Sequence, residues 1–250
     1  MQTPTQPHTG AKMMSEITIA LIIIATAAIA SCIYIYKIKH LAWPPIRSDG
    51  FGYYAYLPSV FIDHNFRMHL AVSNNPGGEH APLPGLEAYP GTDQLLDKYP
   101  IGTALMMSPF FFVAHMLAVH LGFERNGYSL PYQISTIAAG IFYLSVGTGT
   151  LYATLRVRND TQVSVMTTTL VVFATNVFHY SSYDASFSHI YSYALIAIYM
   201  LLIVRYRMEG DRSADRYTFV LLAIILGLIT ITRITDAVVA IIGLSAVLCG

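Results

Sequence analysis

Charged side chains are scarce in this chain: they make up 11% of its 250 residues, whereas soluble domains carry about 25%. The formal net charge is zero, so no basic stripe is available to bind nucleic acid. Cys32 and Cys249 are the only cysteines, and both lie in apolar runs, which does not indicate a disulfide framework. The chain also lacks a Walker loop and a dinucleotide-binding fingerprint, so no soluble nucleotide cofactor is indicated.

Apolar side chains, by contrast, make up 54% of the chain, and the mean hydropathy is +0.52. They form runs long enough to cross the roughly 30 Å hydrocarbon core of a bilayer. The sequence therefore predicts an all-α polytopic membrane protein with an N-terminal segment at 1–16 and a transmembrane module over 17–250. The first run has no charge and is longer than a signal-peptide core, so we interpret it as a retained helix. The predicted spans lie near 17–36, 132–155, 162–179, 189–204, 218–232 and 235–249.

Arginines in short loops predict the orientation, because cytoplasmic loops hold the excess of Lys and Arg. The loops at 156–160 and 205–216 are therefore expected inside, and the arginine-free turn at 181–189 outside. The apolar run 101–122 leaves two alternatives. If it crosses the membrane, residues 37–100 are cytoplasmic; if it lies on the outer face, the whole of 37–131 is external. Charge counting alone does not decide between them.

Asp49 stands at the head of a short aromatic stretch, "RSDGFGYYAYLPS". One interpretation is that Ser48 or Asp49 caps a helix beginning at Gly50, since both residue types are preferred there. The other is that the carboxylate has a chemical role. In the same stretch Tyr53, Leu57 and Phe61 recur every four residues, which predicts a stripe lying in the lipid headgroup layer.

Ionisable residues also occur near the ends of the later spans. Asp184 and His189 are expected at the outer end of the fourth span, where charged groups usually face a polar cavity. The stretch 218–249 is too long for one crossing, so the chain should turn at "TITRITDA" and leave Arg233 near the outer face. There Arg233 either forms an interfacial pair with Asp236 or binds an anion.

The nine histidines show no recognised metal-ligand spacing. His115 and His120 are five residues apart, which is a poor chelating distance around a helix. His179 and His189 flank one turn and could meet there.

Three stretches together resemble the GT-C superfamily of membrane glycosyltransferases. They are "RSDGFGYYAYLPSVFIDHNF" (47–66), "KYPIGTALMMSPFFFVAH" (98–115) and "SSYDASFSHIYSYALI" (181–196). The likeness is closer to the bacterial branch related to protein mannosyltransferases and aminoarabinose transferases. It covers most of the chain, although each motif alone is degenerate. Members of the family are commonly about twice as long, so the chain is expected to be an N-terminal part that ends inside an apolar run.

The resemblance implies a GT-C-like helix bundle with a long first external loop, 37–131, that contains interfacial helices, and hence a cytoplasmic N-terminus at 1–16. It implies a polyprenyl-phosphate-linked sugar as donor and a lipid, glycan or protein as acceptor, at the outer face of a bacterial inner membrane. Asp49 would be the catalytic base. Lys98, Asp184, His189 and Arg233 would bind substrate, and a divalent cation (Mg or Mn), if used, would be held by Asp49 and Asp184. Two rivals remain: a transporter or flippase of an amphipathic solute, and a non-catalytic membrane subunit.

Overall fold

The structure is a computed structural model that describes residues 9–38, 44–75, 83, 85–92, 94–209 and 212–248. Half of the predicted N-terminal segment, residues 1–8, lies outside the described residues, and so does the last residue of the final predicted span, Cys249. The described chain is mostly helical. Its elements are α1 Thr9–Ile38, α2 Ser48–Phe61, α3 His69–Ser73, β1 Leu86–Ala88, β2 Leu95–Asp97, α4 Gly102–His120, α5 Leu130–Arg156, α6 Thr161–Phe173, α7 Val177–Ser182, α8 Ser188–Glu209, α9 Arg212–Thr232, a 3₁₀ helix Ile234–Val239 and α10 Ala240–Leu248.

Three helices of the described residues are long and apolar enough to cross a membrane, by length and composition: Gly102–His120, Leu130–Arg156 and Ser188–Tyr206. Shorter apolar helices accompany them in α1, α6, α9 and the C-terminal segment. The structure thus supports a helical protein associated with a membrane, and the arrangement in six spans stays a prediction.

The expectation of an all-α chain is wrong in one place, because β1 and β2 form an antiparallel hairpin. Its turn contains Pro90 and Gly91, and Gly91 has a φ of +79°. Proline followed by a glycine with positive φ is the signature of a type II turn. The flanking residues pair Leu86 with Asp97 and Ala88 with Leu95. The hairpin sits in the first loop, immediately before α4.

The predicted span 162–179 is also wrong as a single helix, because the chain breaks between α6 and α7. The Thr175 hydroxyl accepts the Val177 backbone N–H at 3.3 Å, a local bond that competes with helix continuation. The turn predicted at "TITRITDA" is present, since α9 ends at Thr232 and a 3₁₀ helix follows.

Helix α5 lies at the centre of the bundle and packs against α1, α4, α6, α7 and α8. Two of its glycines permit close helix contacts. A Cβ at Gly140 would come within 2.5 Å of the Ser181 carbonyl oxygen, and one at Gly147 within 2.5 Å of the Tyr193 ring. Small residues that allow backbones to approach are typical of helix packing in membranes.

Helix α4 runs antiparallel to the first half of α5. The Tyr143 hydroxyl donates to the Met106 carbonyl at 2.9 Å, and His115 Nδ1 lies 2.7 Å from the Tyr132 hydroxyl oxygen. At its start, α4 packs through Gly102 against the backbone at the C-terminal end of α9. Arg156 lies at the opposite end of α5, so both ends of α4 lie away from the arginine-bearing end of the bundle.

Candidate functional site

Helix α2 begins at Ser48, and Arg47 is its N-cap residue without a side-chain capping hydrogen bond. The interpretation of Ser48 or Asp49 as the cap of a helix starting at Gly50 is therefore wrong. Ser48 has a φ of +47°, a conformation that non-glycine residues adopt rarely and that concentrates at functional sites. Asp49 follows it in the first turn and is exposed to solvent.

The start of α2 is fixed against the turn between α7 and α8. Gly50 lies so close to this turn that a Cβ there would come within 1.8 Å of Ser186 Oγ. The Ser186 hydroxyl donates to the Pro45 carbonyl at 2.8 Å, and the Ile46 N–H donates to Gln133 Oε1 at 2.9 Å. These contacts join three parts of the chain that are distant in sequence.

Asp184 lies in the same turn, and both of its carboxylate oxygens are occupied. Arg47 Nη2 lies 2.6 Å from Oδ1, and His179 Nε2 lies 2.8 Å from Oδ2. The Arg47 guanidinium also stacks 4.0 Å from the centre of the Tyr183 ring. A guanidinium already neutralises this carboxylate, and the role of Asp184 as a divalent-cation ligand stays a prediction. Among the described residues, no three His, Cys, Asp or Glu side chains form a group that could hold a metal ion.

Arg233 and His189 meet where α9 ends and α8 begins. The guanidinium contacts His189 Nδ1, and its Nε lies 3.7 Å from Asp236 Oδ1. The imidazole of His189 stacks on Tyr180 with 3.8 Å between ring centres. Asp236 is also bound by the Ser192 hydroxyl at 2.5 Å. The interfacial pair predicted for Arg233 and Asp236 is thus present, and Arg233 remains 36% exposed.

Tyr99, which follows the hairpin, is a site residue that sequence reasoning missed. Burial is the main cause that raises the pKa of its phenol, and Asp49 raises it further. The Lys98 ammonium sits over the Tyr99 ring, 5.0 Å from its centre, which places this predicted residue beside the site. In the sequence, only the motif "KYP" indicated this position, and it indicated Lys98 rather than Tyr99.

These side chains form one polar cluster at the end of the bundle away from Arg156. Asp49, Asp184, Arg233 and Asp236 all interact electrostatically with His189. Asp49 and Arg233 both act on Tyr53, although burial is the main cause that raises the pKa of this phenol. The structure therefore brings Asp49, Asp184, His189 and Arg233 together, with Lys98 at the edge.

The aromatic stripe of α2 does not face a headgroup layer as predicted. Leu57 is buried in the protein core at 2% exposure, and Tyr53 packs on Tyr99 with ring centres 4.4 Å apart. Phe61 alone of the three is exposed, at 41%. Burial of the stripe fixes α2 against the rest of the protein, and Asp49 with it.

The histidines of the sequence divide between different environments. His115 contacts Tyr132 within the helical core, far along α4 from the cluster. His179 and His189 both belong to the cluster, yet each binds a different charged partner, Asp184 and Arg233 respectively.

Chemically, the cluster offers an exposed carboxylate that can accept a proton and a half-exposed guanidinium that can bind an anion. No family model, no curated protein and no solved structure matches this chain.

Proposed function

We propose that this protein is a membrane glycosyltransferase that moves a sugar from a polyprenyl-phosphate donor to an acceptor at the outer face of the membrane. The observation that supports it is the joint position of Asp49 and Arg233. An accessible carboxylate and an accessible cation lie in one cluster at the end of the bundle, where a lipid headgroup can reach both. The resemblance of the three sequence stretches to the GT-C superfamily supplies the reaction class.

In the proposed reaction, Asp49 accepts the proton of the acceptor's hydroxyl or amine, as a general base does. The acceptor atom then forms a bond to the anomeric carbon while the bond from that carbon to the phosphate oxygen breaks. The electron pair of the broken bond leaves with the polyprenyl phosphate. Arg233, together with Lys98 at the edge of the cluster, stabilises the charge on the departing phosphate.

The other two predicted substrate-binding residues take supporting roles in this proposal. Asp184 holds Arg47 at the start of α2, so it fixes the segment that carries Asp49. His189 contacts Arg233 and orients its guanidinium toward the donor. No step of the reaction passes through a metal ion.

The position of α4 supports an external site. Since neither end of α4 approaches the arginine-bearing end, we infer that the first loop, predicted at 37–131, lies on one side of the membrane, opposite 156–160. With arginines inside, that side is the external face, which in a bacterial inner membrane is the periplasmic one.

The release of the carrier lipid tests the proposal without knowledge of the acceptor. The full protein in proteoliposomes is incubated with a panel of undecaprenyl-phosphate sugars and a membrane extract as acceptor source, and free undecaprenyl phosphate is measured by mass spectrometry. We expect release with at least one donor. Asp49→Asn should lower the rate by about 10²-fold or more, the usual cost of removing a general base.

The control is Glu87→Gln, which removes an exposed carboxylate of the nearby hairpin and should leave the rate unchanged. No release from any donor, or full activity of Asp49→Asn, would overturn the proposal. Movement of the intact donor across the bilayer without cleavage would favour the transporter instead.

A further inference from the structure

A small cleft lies between α1, α5 and α6, near the arginine-bearing end of α5. Helices α1 and α6 each pack against α5 and α7, but within the described residues they barely contact each other. The gap between them leaves a cavity of about 40 Å³, which is more than one water molecule needs. Its walls include Leu21 and Ile24 of α1, Gly149 and Tyr152 of α5, and Val165 and Thr168 of α6. Since Val165 is 41% exposed, the cavity lies next to a surface that can face lipid.

Two walls of this cleft carry hydroxyl groups without a partner. Tyr152 and Thr168 are each 6% exposed, and neither side-chain oxygen forms a hydrogen bond with any described residue. By contrast, the Thr148 hydroxyl, one turn earlier on α5, lies 3.5 Å from the Tyr193 hydroxyl. A buried hydroxyl without a partner costs free energy, which a ligand with a hydrogen-bond acceptor would recover. The cleft therefore offers two unused donors among apolar side chains.

Helix α5 adds a cation to the same face. Arg156 follows Tyr152 by four residues, so both side chains lie on one face of the helix. The Arg156 Nε is buried without a hydrogen-bond partner among the described residues, while Nη1 donates to the Asn159 carbonyl. Arg158 is exposed close by, and the Asp160 carboxylate is engaged as the cap of α6. The positive charge of this end is thus open to an anionic group.

We propose that this cleft binds one anionic glycerophospholipid from the leaflet at the arginine-bearing end. Arg156 contacts the phosphate, the hydroxyls of Tyr152 and Thr168 donate to the ester carbonyls, and an acyl chain runs past Leu21 and Ile24. The depths agree, because Tyr152 lies one helical turn, about 6 Å, from Arg156 and the interfacial layer of a bilayer is about 5–7 Å thick. Basic pockets between transmembrane helices bind anionic headgroups in this way.

The ester carbonyls distinguish this ligand from a carrier lipid. A polyprenyl phosphate has a phosphate and an apolar chain but no carbonyl, so it would leave both hydroxyls without an acceptor. The cleft also lies toward the end of α5 opposite the cluster that contains Arg233. The inference is therefore independent of the proposed sugar transfer, and either can fail without the other.

The lipid itself provides the first test. The purified protein is titrated in detergent with phosphatidylglycerol, and native mass spectrometry measures the lipid-bound fraction. One phosphatidylglycerol should bind at least about 10-fold more tightly than phosphatidylcholine, whose headgroup carries no net charge. The diether analogue keeps the headgroup and the chains but lacks both carbonyls, so it should bind about 10-fold less tightly than the diester. Equal affinity for diester and diether, or displacement by equimolar undecaprenyl phosphate, would overturn the proposal.

Side-chain variants then locate the site. Tyr152→Phe combined with Thr168→Val removes both hydroxyls at nearly constant size, so the preference for the diester should disappear. The melting temperature of the lipid-free protein should not fall, because these hydroxyls have no hydrogen bond to lose. Tyr206→Phe on α8 is the matched control and should keep the wild-type preference. A double variant that still prefers the diester would overturn the proposal; if this variant does not fold, the comparison of the two lipids on the wild type still decides.

The cation is tested in the same assay. Arg156→Gln should weaken binding of phosphatidylglycerol by about 10-fold, because the phosphate loses its charged partner. Arg205→Gln removes an exposed arginine of α8 at the same end of the bundle and should leave the affinity unchanged. An equal effect of the two variants would mean that the lipid responds only to the overall charge of this end, and the site in the cleft would be refuted.

Discussion

Exposure distinguishes the two arginines of the cluster at the residue scale. Arg47 is 11% exposed, lies 2.6 Å from Asp184 and stacks on Tyr183, so its charge is already satisfied within the protein. Arg233 is 36% exposed and its nearest carboxylate oxygen is 3.7 Å away, beyond a short ionic hydrogen bond. The first arginine therefore supports the structure, while the second can still bind an anion.

Charge reversal tests this difference. Arg233→Glu should weaken binding of undecaprenyl phosphate by at least about 10-fold, because the phosphate would meet a like charge instead of a guanidinium. Binding can be measured by quenching of a fluorescent carrier lipid in proteoliposomes. Arg158→Glu, an exposed arginine at the other end of the bundle, is the matched control. If both variants bind undecaprenyl phosphate with the same affinity as the wild type, Arg233 serves only as the interfacial partner of Asp236.

At the scale of elements, the site depends on how the hairpin and α2 dock on the bundle. Helix α2 contacts the α7–α8 turn through Gly50, and the hairpin contacts α2 through Tyr99. A Cβ added at Gly50, or at Gly85 beside the Tyr99 ring, would overlap its neighbour. A small change at either place should therefore move Asp49 without touching it.

Gly50→Ala is the direct test of the α2 contact. The added Cβ would overlap Ser186 Oγ, so α2 should shift, and both the apparent melting temperature and carrier-lipid release should fall. Gly227→Ala in α9 is the control, since no atom lies within 4 Å of a Cβ there. Alanine also favours a helix over glycine, so the control should be neutral or slightly stabilising. An equal response of the two variants would argue against tight docking at Gly50.

The hairpin should also respond to pH. Burial raises the pKa of Asp97 to about 7, and its Oδ2 atom is buried without a hydrogen-bond partner. A raised carboxyl pKa means that the folded state binds the proton more tightly than the unfolded chain does. Stability from this group is therefore present at low pH and lost as the pH rises from about 4 to about 7.

Thermal unfolding between pH 5 and pH 8 measures this effect. Part of the fall in melting temperature over that range should disappear in Asp97→Asn, which keeps an acceptor for the Tyr99 N–H but cannot ionise. Glu87→Gln on β1 should retain the wild-type dependence, since Glu87 is exposed. Identical pH profiles for wild type and Asp97→Asn would contradict the assignment.

At the scale of the whole molecule, the course of α4 bears on which side of the membrane the first loop is expected. The helix has 19 residues, roughly 28 Å at 1.5 Å per residue, which is enough to cross a membrane. Its start nevertheless contacts the end of α9 beside Arg233, and its later turns follow the first half of α5. By length and composition α4 is a candidate span, and its contacts lie along the first half of α5 and the end of α9.

Cysteine labelling tests this topology. In a background with Cys32→Ser and Cys249→Ser, single cysteines at the exposed positions Ser73 and Asn159 should react with an impermeant maleimide from opposite sides of sealed vesicles. Ser73 precedes α4, and Asn159 follows the predicted cytoplasmic end of α5. The pair therefore shows whether α4 crosses the membrane in addition to α5. Reaction of both from the same side would mean that α4 crosses the membrane and that Asp49 is cytoplasmic.

Much of the architecture could be predicted from the sequence, because apolar composition and arginine placement are local signals. The central helix was expected at 132–155 and observed at Leu130–Arg156, and the turn before Arg233 was expected from the length of the apolar run. The break after Phe173 was not predicted, since it is accompanied only by a local bond from the Val177 N–H to the Thr175 hydroxyl, which no hydropathy pattern indicates.

The candidate residues Asp49, Asp184, His189 and Arg233 could also be chosen from the sequence, because ionisable groups are rare near apolar spans. The partners of these residues could not be predicted from the sequence. Asp184 pairs with Arg47, which is 137 residues away in the sequence. The packing of Tyr99 on Tyr53 of α2 depends on a short hairpin that no periodicity marked. The sequence by itself determines which charged residues the chain offers for this cluster. Tertiary packing decides which of them remain open to a ligand, because only packing sets their distances and exposure.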